Sequence, residues 1–189
     1  GFVVLGIAAA AWVAGSSDPD MRLSGTIATT GVVLQMFNHG LSAAAMFFLV
    51  GVVYDRAHTR DLDELGGGIW QLAPVYGGIL VFSSMASLGL PGLNGFVSEF
   101  AIVRGAWPVF SGITAVSMIG LFFTGAYILK GIRQVLHGPR NERWADHEME
   151  VTMREKIVVA PLMVLMLVIG VWPWWITSVI NATAKSLIG

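Results

Sequence analysis

Cysteine is absent from the 189-residue chain, which excludes disulfides, thiolate metal sites and a cysteine nucleophile. Charged residues make up only 12% of the sequence, about half the share of a soluble domain. The net charge of −1 gives no electrostatic basis for binding nucleic acid. Hydrophobic types reach 55% and the mean hydropathy is +0.72. This composition predicts an all-α integral membrane protein.

The charges are grouped, and the stretches between the groups are almost uncharged. Of the 23 charged residues, six lie in 54–70 and eleven in 130–156. A transmembrane helix needs about 20 apolar residues. We therefore expect one transmembrane domain over 1–189 with about five membrane segments. The apolar stretches are 1–14, 25–53, 71–107, 108–129 and 157–180.

The third apolar stretch, 71–107, is too long for one straight span and too short for two. As a helix with ~1.5 Å rise per residue it would extend about 55 Å, nearly twice the hydrocarbon core of a bilayer. Its middle contains one proline, which removes a backbone donor, and three glycines, which relax the chain. These residues are Gly89, Pro91, Gly92 and Gly95. A helix break is predicted within 89–95, either in a discontinuous span with halves at 71–90 and 95–105 or in a re-entrant hairpin.

Basic residues orient the chain and anchor its ends. With a discontinuous third span, loops 54–70 and 130–156 share one side and carry eight basic residues, against three on the other side. The positive-inside rule then places both loops in the cytoplasm, and the hairpin alternative would give seven against four. We expect a bacterial inner (plasma) membrane. Lys130 is expected to snorkel to the interface, with a buried proton carrier as the alternative, and the Trp-Pro-Trp-Trp run at 172–175 to anchor the last span.

Glu99 is the only acidic residue inside an apolar stretch. A charge at bilayer depth costs at least ~2.5 kcal/mol on insertion scales, so such a residue usually faces a cavity or a partner. Ion or proton transfer is therefore the functional hypothesis for Glu99. The structural alternative is a glutamate at the membrane interface, five residues from Arg104.

His39 lies near the centre of the second apolar stretch. An imidazole donates, accepts and titrates near neutral pH, which suits a proton relay; the alternative is a histidine that only packs two helices together. A polar stripe surrounds it at helical spacing, formed by Gln35, Asn38 and Ser42. We expect His39 and Glu99 to point into the bundle and to belong to one hydrated proton path. No metal site is expected, because no second histidine or carboxylate lies one turn away.

Three motifs resemble the subunit M family of proton-pumping NADH-quinone oxidoreductase, respiratory complex I. They are Asn38-His-Gly-Leu-Ser-Ala, Gly51-Val-Val-Tyr-Asp-Arg-Ala-His-Thr-Arg and Ala86-Ser-Leu-Gly-Leu-Pro-Gly-Leu-Asn-Gly-Phe-Val-Ser-Glu-Phe. The resemblance implies the last part of an antiporter-like fold with a discontinuous third span. It also implies that Glu99 is the terminal proton-carrying glutamate of the broken helix, and that His39 lies on the polar axis of the membrane arm.

The resemblance also sets the expected function. The chain would be part of a proton-translocating subunit that moves protons through carboxylate, histidine and ordered water, coupled to quinone reduction elsewhere. Its partners would be the lipid bilayer and other membrane-arm subunits of complex I, with no nucleic acid, no cofactor and no redox site of its own. The family's earlier proton-carrying residues have no counterpart here, so this chain alone would not be a complete pump. The alternatives are a subunit of a multisubunit cation/proton antiporter and a membrane scaffold fragment without transport.

Overall fold

The computed structural model describes residues 1–188, which fold into nine α-helices and one short 3₁₀ helix without a β-strand. The helices are α1 (Phe2–Val13), α2 (Pro19–Ala57), α3 (Leu62–Leu65), α4 (Ile69–Leu72), α5 (Pro74–Leu88), α6 (Asn94–Ala106), α7 (Ser111–Leu136), α8 (Met153–Val171) and α9 (Trp174–Ile188). The 3₁₀ helix, Glu142–Trp144, lies between α7 and α8. The predicted all-α class is confirmed.

Capping residues set the ends of the long central helix α2. At its start, the side chain of Asp18 accepts a hydrogen bond from Asp20 N at 2.9 Å, and Pro19 occupies the first turn, where its missing N–H costs nothing. At its end, His58 adopts the left-handed conformation with φ 53°. Because the polar ends continue the helix, α2 extends beyond the apolar stretch 25–53 at both sides.

Two helices, α2 and α7, are each long and apolar enough to cross a membrane, and α8 with α9 would make a third span if the pair is counted as one. Helices α1 and α5 are apolar but shorter. Each of the predicted apolar stretches therefore coincides with helix, although not every one contains a helix long enough to cross alone.

The last apolar stretch, 157–180, is not the continuous span that the sequence analysis expected. Helix α8 ends at Val171, α9 begins at Trp174, and the two are bent by 70°. Pro173 lies in the break, where it lacks the N–H needed to continue the helix. The tryptophan run therefore marks a bend as well as a candidate anchor, whereas Pro161, in the interior of α8, does not end that helix.

The predicted break in the third stretch is confirmed, and it separates α5 from α6. Residues 89–93 are not helical, and Gly89 and Gly92 adopt φ values of +78° and +93°, a region that side chains disfavour. Along this segment the contacts with α2 run in one direction. They pair Tyr76 with Leu49, Ser84 with Met46, Asn94 with Asn38 and Gly105 with Ser24.

This order decides between the two arrangements left open by the sequence. From Tyr76 to Gly105 the partners on α2 run steadily backwards, so α5 and α6 lie end to end and antiparallel to α2. In a re-entrant hairpin, the end of α6 would return to the level of Leu49. Helix α6 also approaches α2 closely, since a Cβ added at Gly31 would lie 2.7 Å from Ile102 N. Such small residues let helix backbones pack together in membranes.

Loops 54–70 and 130–156 meet at one end of the bundle. The indole of Trp144 donates to Leu65 O at 3.1 Å, and Gly68 N donates to His137 O at 3.2 Å. Further contacts join Arg56 to the Glu155 carboxylate at 2.8 Å and to Glu150 O at 3.0 Å. The two charged loops thus form one surface, as expected of loops on the same side.

Candidate functional site

Glu99 lies on α6, one and a half turns after the helix break. Its side chain is only 9% exposed, and within residues 1–188 its carboxyl group has no hydrogen bond and no ion pair. It lines a cavity of about 170 Å³ together with apolar side chains of α1, α6 and α7. The cavity is completed by Gly89 and Pro91 of the break. An acidic group therefore lies in an apolar pocket beside non-helical backbone.

The break itself shapes the position of the carboxyl group. A Cβ added at Gly89 would overlap Oε2 of Glu99 and lie 3.2 Å from its Cδ. Glycine at this position thus provides both the positive φ and the space for the carboxyl group. Gly95 marks a second close approach of the backbone, because a Cβ at this position would overlap Ala86 O near the end of α5. By contrast, a Cβ at Gly92 would meet no atom within 4 Å.

A reciprocal amide pair joins α2 to the first turn of α6. Asn38 Nδ2 donates to Asn94 O at 2.7 Å and to Ser98 Oγ at 3.0 Å, and Asn94 Nδ2 donates to Asn38 O at 3.2 Å. The hydroxyl of Ser98 donates to Gln35 Oε1 at 2.5 Å. Both asparagines are fully buried, so these bonds form in a low-dielectric environment where their loss would be costly.

This pair holds the helix that carries Glu99. The first residue of α6 is Asn94, and no side chain caps the helix at Leu93. These hydrogen bonds hold the start of α6 against α2, but none of them satisfies the free backbone N–H groups that a conventional cap would satisfy. The sequence analysis did not identify Asn94 and Ser98 as site residues. Their four-residue spacing places both on the same face of an apolar helix, and this spacing could have indicated a polar contact.

The predicted polar stripe on α2 divides between two environments. Asn38 and Ser42 are buried, and Gln35 is half-buried against α6. Ser42 Oγ donates to His39 O at 3.3 Å. His39 itself is exposed on the surface formed by residues 1–188. The prediction that its side chain points into this bundle is therefore wrong. A helix turns by about 100° per residue, which is enough to bury Asn38 and expose its neighbour.

Lys130 is exposed near the end of α7 and does not line the cavity around Glu99. Its position agrees with a side chain that reaches the membrane interface and does not support a buried proton carrier. Of the predicted site residues, the structure thus brings together Glu99, Gly89 and Pro91. The asparagine pair lies on the neighbouring face of α6.

Comparison with known proteins yields one family match. Residues 20–125 match the family described as NADH:quinone oxidoreductase/Mrp antiporter, TM. Among curated relatives, "NAD(P)H-quinone oxidoreductase chain 4 1" of Trichodesmium erythraeum is 36% identical, with 99% of this chain and 34% of the relative covered. "NADH-quinone oxidoreductase subunit M" of Pseudomonas aeruginosa is 40% identical, with 86% of this chain and 31% of the relative covered.

A solved structure shares the fold. The chain superimposes with a TM-score of 0.79 on part of "Respiratory complex I from Thermus thermophilus with bound NADH", covering 100% of this chain and 37% of that one. At 21% identity this likeness concerns the fold alone. The chain spans about a third of the length of the curated relatives it matches.

Proposed function

Because the chain belongs to the NADH:quinone oxidoreductase/Mrp antiporter transmembrane family, we propose that it carries protons within a membrane subunit of NADH-quinone oxidoreductase. The relatives named subunit M and chain 4 support that assignment. The observation that carries it is Glu99, a buried acid without an ionic partner within residues 1–188 that lies beside a helix break. The quinone reduction that drives transport belongs to other parts of the complex.

The surroundings of Glu99 suit a proton carrier. An ionised carboxylate in an apolar pocket is costly, so the charged form of Glu99 needs water or another partner in its pocket. Backbone groups of the non-helical segment 89–93 lie outside a helix, and such groups can bind water at membrane depth. In this proposal the protonated form of Glu99 belongs to the dry pocket, and the ionised form belongs to the hydrated pocket.

His39 serves as a relay in this proposal, but from the outer face of α2. Its imidazole is exposed, and its helix is locked to α6 through Asn38. His39 would therefore exchange protons with groups that do not belong to this chain. Ordered water would connect it to Glu99, because a direct contact is not formed.

Orientation and partners follow from the charged surface of loops 54–70 and 130–156. This surface carries eight of the eleven Lys and Arg residues, so we place it in the cytoplasm, with the spans in a bacterial inner membrane. The partners would be other membrane-arm subunits of complex I. The family description also includes Mrp antiporters, which makes a subunit of a multisubunit cation/proton antiporter the second candidate.

Substitution of Glu99 by glutamine tests the proposal, because it removes the ionisable group and keeps the size. In membrane vesicles we expect an assembled complex that still oxidises NADH at a reduced rate but pumps protons weakly. Glu142→Gln is the matched control, since Glu142 is exposed at the start of the short 3₁₀ helix between α7 and α8, and it should leave pumping unchanged. Normal pumping by a fully assembled Glu99→Gln complex would contradict the proposal and favour a membrane scaffold that carries no protons itself. The antiporter would be favoured by two results together: the unmodified protein exchanges sodium for protons without oxidising NADH, and Glu99→Gln loses this exchange.

A further inference from the structure

A second cavity lies among α2, α5 and α7 and shares no lining residue with the cavity around Glu99. Its volume is about 280 Å³, near the lower limit of about 300 Å³ for small-ligand pockets. Its body is aliphatic and is lined by Met46, Val50, Val53, Leu80, Ile128 and Ile132. Glu99 is not among its lining residues. A cavity of this composition repels water and suits a hydrocarbon chain.

One cation, Arg60, lines the mouth of this cavity. Arg60 and Thr59 line it at the end where α2 leaves the bundle. The Arg60 guanidinium carbon lies 4.5 Å from the ring centroid of Tyr54, and this stacking holds the plane of the group while leaving its N–H edges available. In the part of the chain that the structure describes, Arg60 has no hydrogen bond and no ion pair. The carboxylate of Glu64 also lies at this end of the cavity, where it accepts a hydrogen bond from the hydroxyl of Thr59 and makes no ion pair with Arg60 within the described residues.

A second basic residue stands beside the same wall. Lys130 is exposed on α7, directly before Gly131 and one turn after Tyr127, which both line the cavity. A second cation is thus carried by a helix that lines the cavity, next in sequence to one of the lining residues. Basic pockets between membrane helices on the cytoplasmic side bind the head groups of anionic lipids.

We propose that this cavity binds an anionic phospholipid. One acyl chain lies in the aliphatic body, and the phosphate accepts hydrogen bonds from the in-plane N–H groups of Arg60, with Lys130 adding charge. Guanidinium and phosphate form short, charge-assisted, often bidentate hydrogen bonds. A zwitterionic phospholipid would fill the same cavity, but it would gain less from the two cations.

The test uses the detergent-purified membrane protein that contains this chain, after reconstitution in vesicles of equimolar phosphatidylglycerol and phosphatidylcholine. The protein is then re-extracted, and the retained lipids are counted by mass spectrometry. Unmodified protein should retain phosphatidylglycerol in preference to phosphatidylcholine. Equal retention of the two lipids would overturn the proposal.

Two pairs of variants separate the head-group contact from the acyl-chain contact. Arg60→Gln should lower the preference for phosphatidylglycerol roughly fivefold, as expected for one cation at the membrane surface, whereas Arg140→Gln, in an exposed loop position, should not. Gly131→Phe should reduce retention of both lipids by filling the cavity. Its control is Gly120→Phe on the same helix, because a Cβ meets no atom within 4 Å at either glycine and Gly120 does not line the cavity.

Either pair can refute the inference. If Arg60→Gln keeps the lipid preference of Arg140→Gln, the cationic mouth does not select the head group. If Gly131→Phe retains as much lipid as Gly120→Phe, the cavity does not hold an acyl chain. Arg60 is exposed, so its variant remains informative even if Gly131→Phe fails to fold.

Discussion

Replacing Gly89 by alanine tests whether the exact place of the Glu99 carboxyl group matters for proton transfer. The added Cβ would overlap Oε2 of Glu99, which is the end of a flexible side chain, so the carboxyl group has to move. The backbone cost is about 1–2 kcal/mol, because alanine then occupies a left-handed conformation. That cost lowers stability but leaves most molecules folded.

Gly92→Ala is the matched control, since Gly92 also has positive φ but its Cβ would meet no atom within 4 Å. Both variants carry the strain of a side chain at positive φ, and only Gly89→Ala displaces the acid. A displacement of about 1 Å at a reacting group can reduce a rate roughly 100-fold. We therefore expect Gly89→Ala to pump protons far more slowly than Gly92→Ala in membrane vesicles with equal amounts of assembled complex. Equal pumping by the two variants would show that the break does not position Glu99 for transfer.

Three further substitutions test the surrounding elements. His39→Ala should reduce pumping less than loss of the Glu99 carboxyl group does, because water can partly replace an exposed relay; a larger loss, measured in the same vesicles, would contradict this. Asn38→Ala should destabilise the purified protein by about 1–3 kcal/mol, since it removes two buried hydrogen bonds, to Asn94 O and to Ser98 Oγ; an unchanged thermal midpoint would show that these bonds do not stabilise the contact between α2 and α6. Arg56→Gln should make the loop before Glu155 sensitive to limited proteolysis, because that arginine also holds two loop carbonyls; unchanged protection would show that other contacts hold the loop.

The helix break was predictable because its cause is local. Proline and glycine act on the backbone wherever they stand, so 89–95 could be identified without knowing any neighbour. The same reasoning marked Glu99, whose charge is unusual in an apolar stretch whatever packs around it. The family resemblance carried by these motifs is confirmed by the match over residues 20–125.

The features that sequence reasoning missed depend on tertiary contacts. The polar stripe on α2 identified the correct helix, but periodicity alone did not tell which side faces α6, and His39 lies on the exposed side. The asparagine pair requires the register of α2 against α6, which no single helix encodes. The tryptophans around Pro173 indicate an interfacial anchor, and the sequence alone does not show that this proline lies at a 70° bend between α8 and α9.

Infrared difference spectroscopy of the assembled complex tests the central claim most directly. The claim is that the carboxyl group of Glu99 takes up and releases a proton during turnover. Adding NADH to the unmodified complex should change a carboxylic-acid C=O band, and that change should be missing in Glu99→Gln but present in Glu142→Gln. Identical carboxyl bands in all three proteins would mean that Glu99 keeps one protonation state throughout, and the proposed proton path would be refuted.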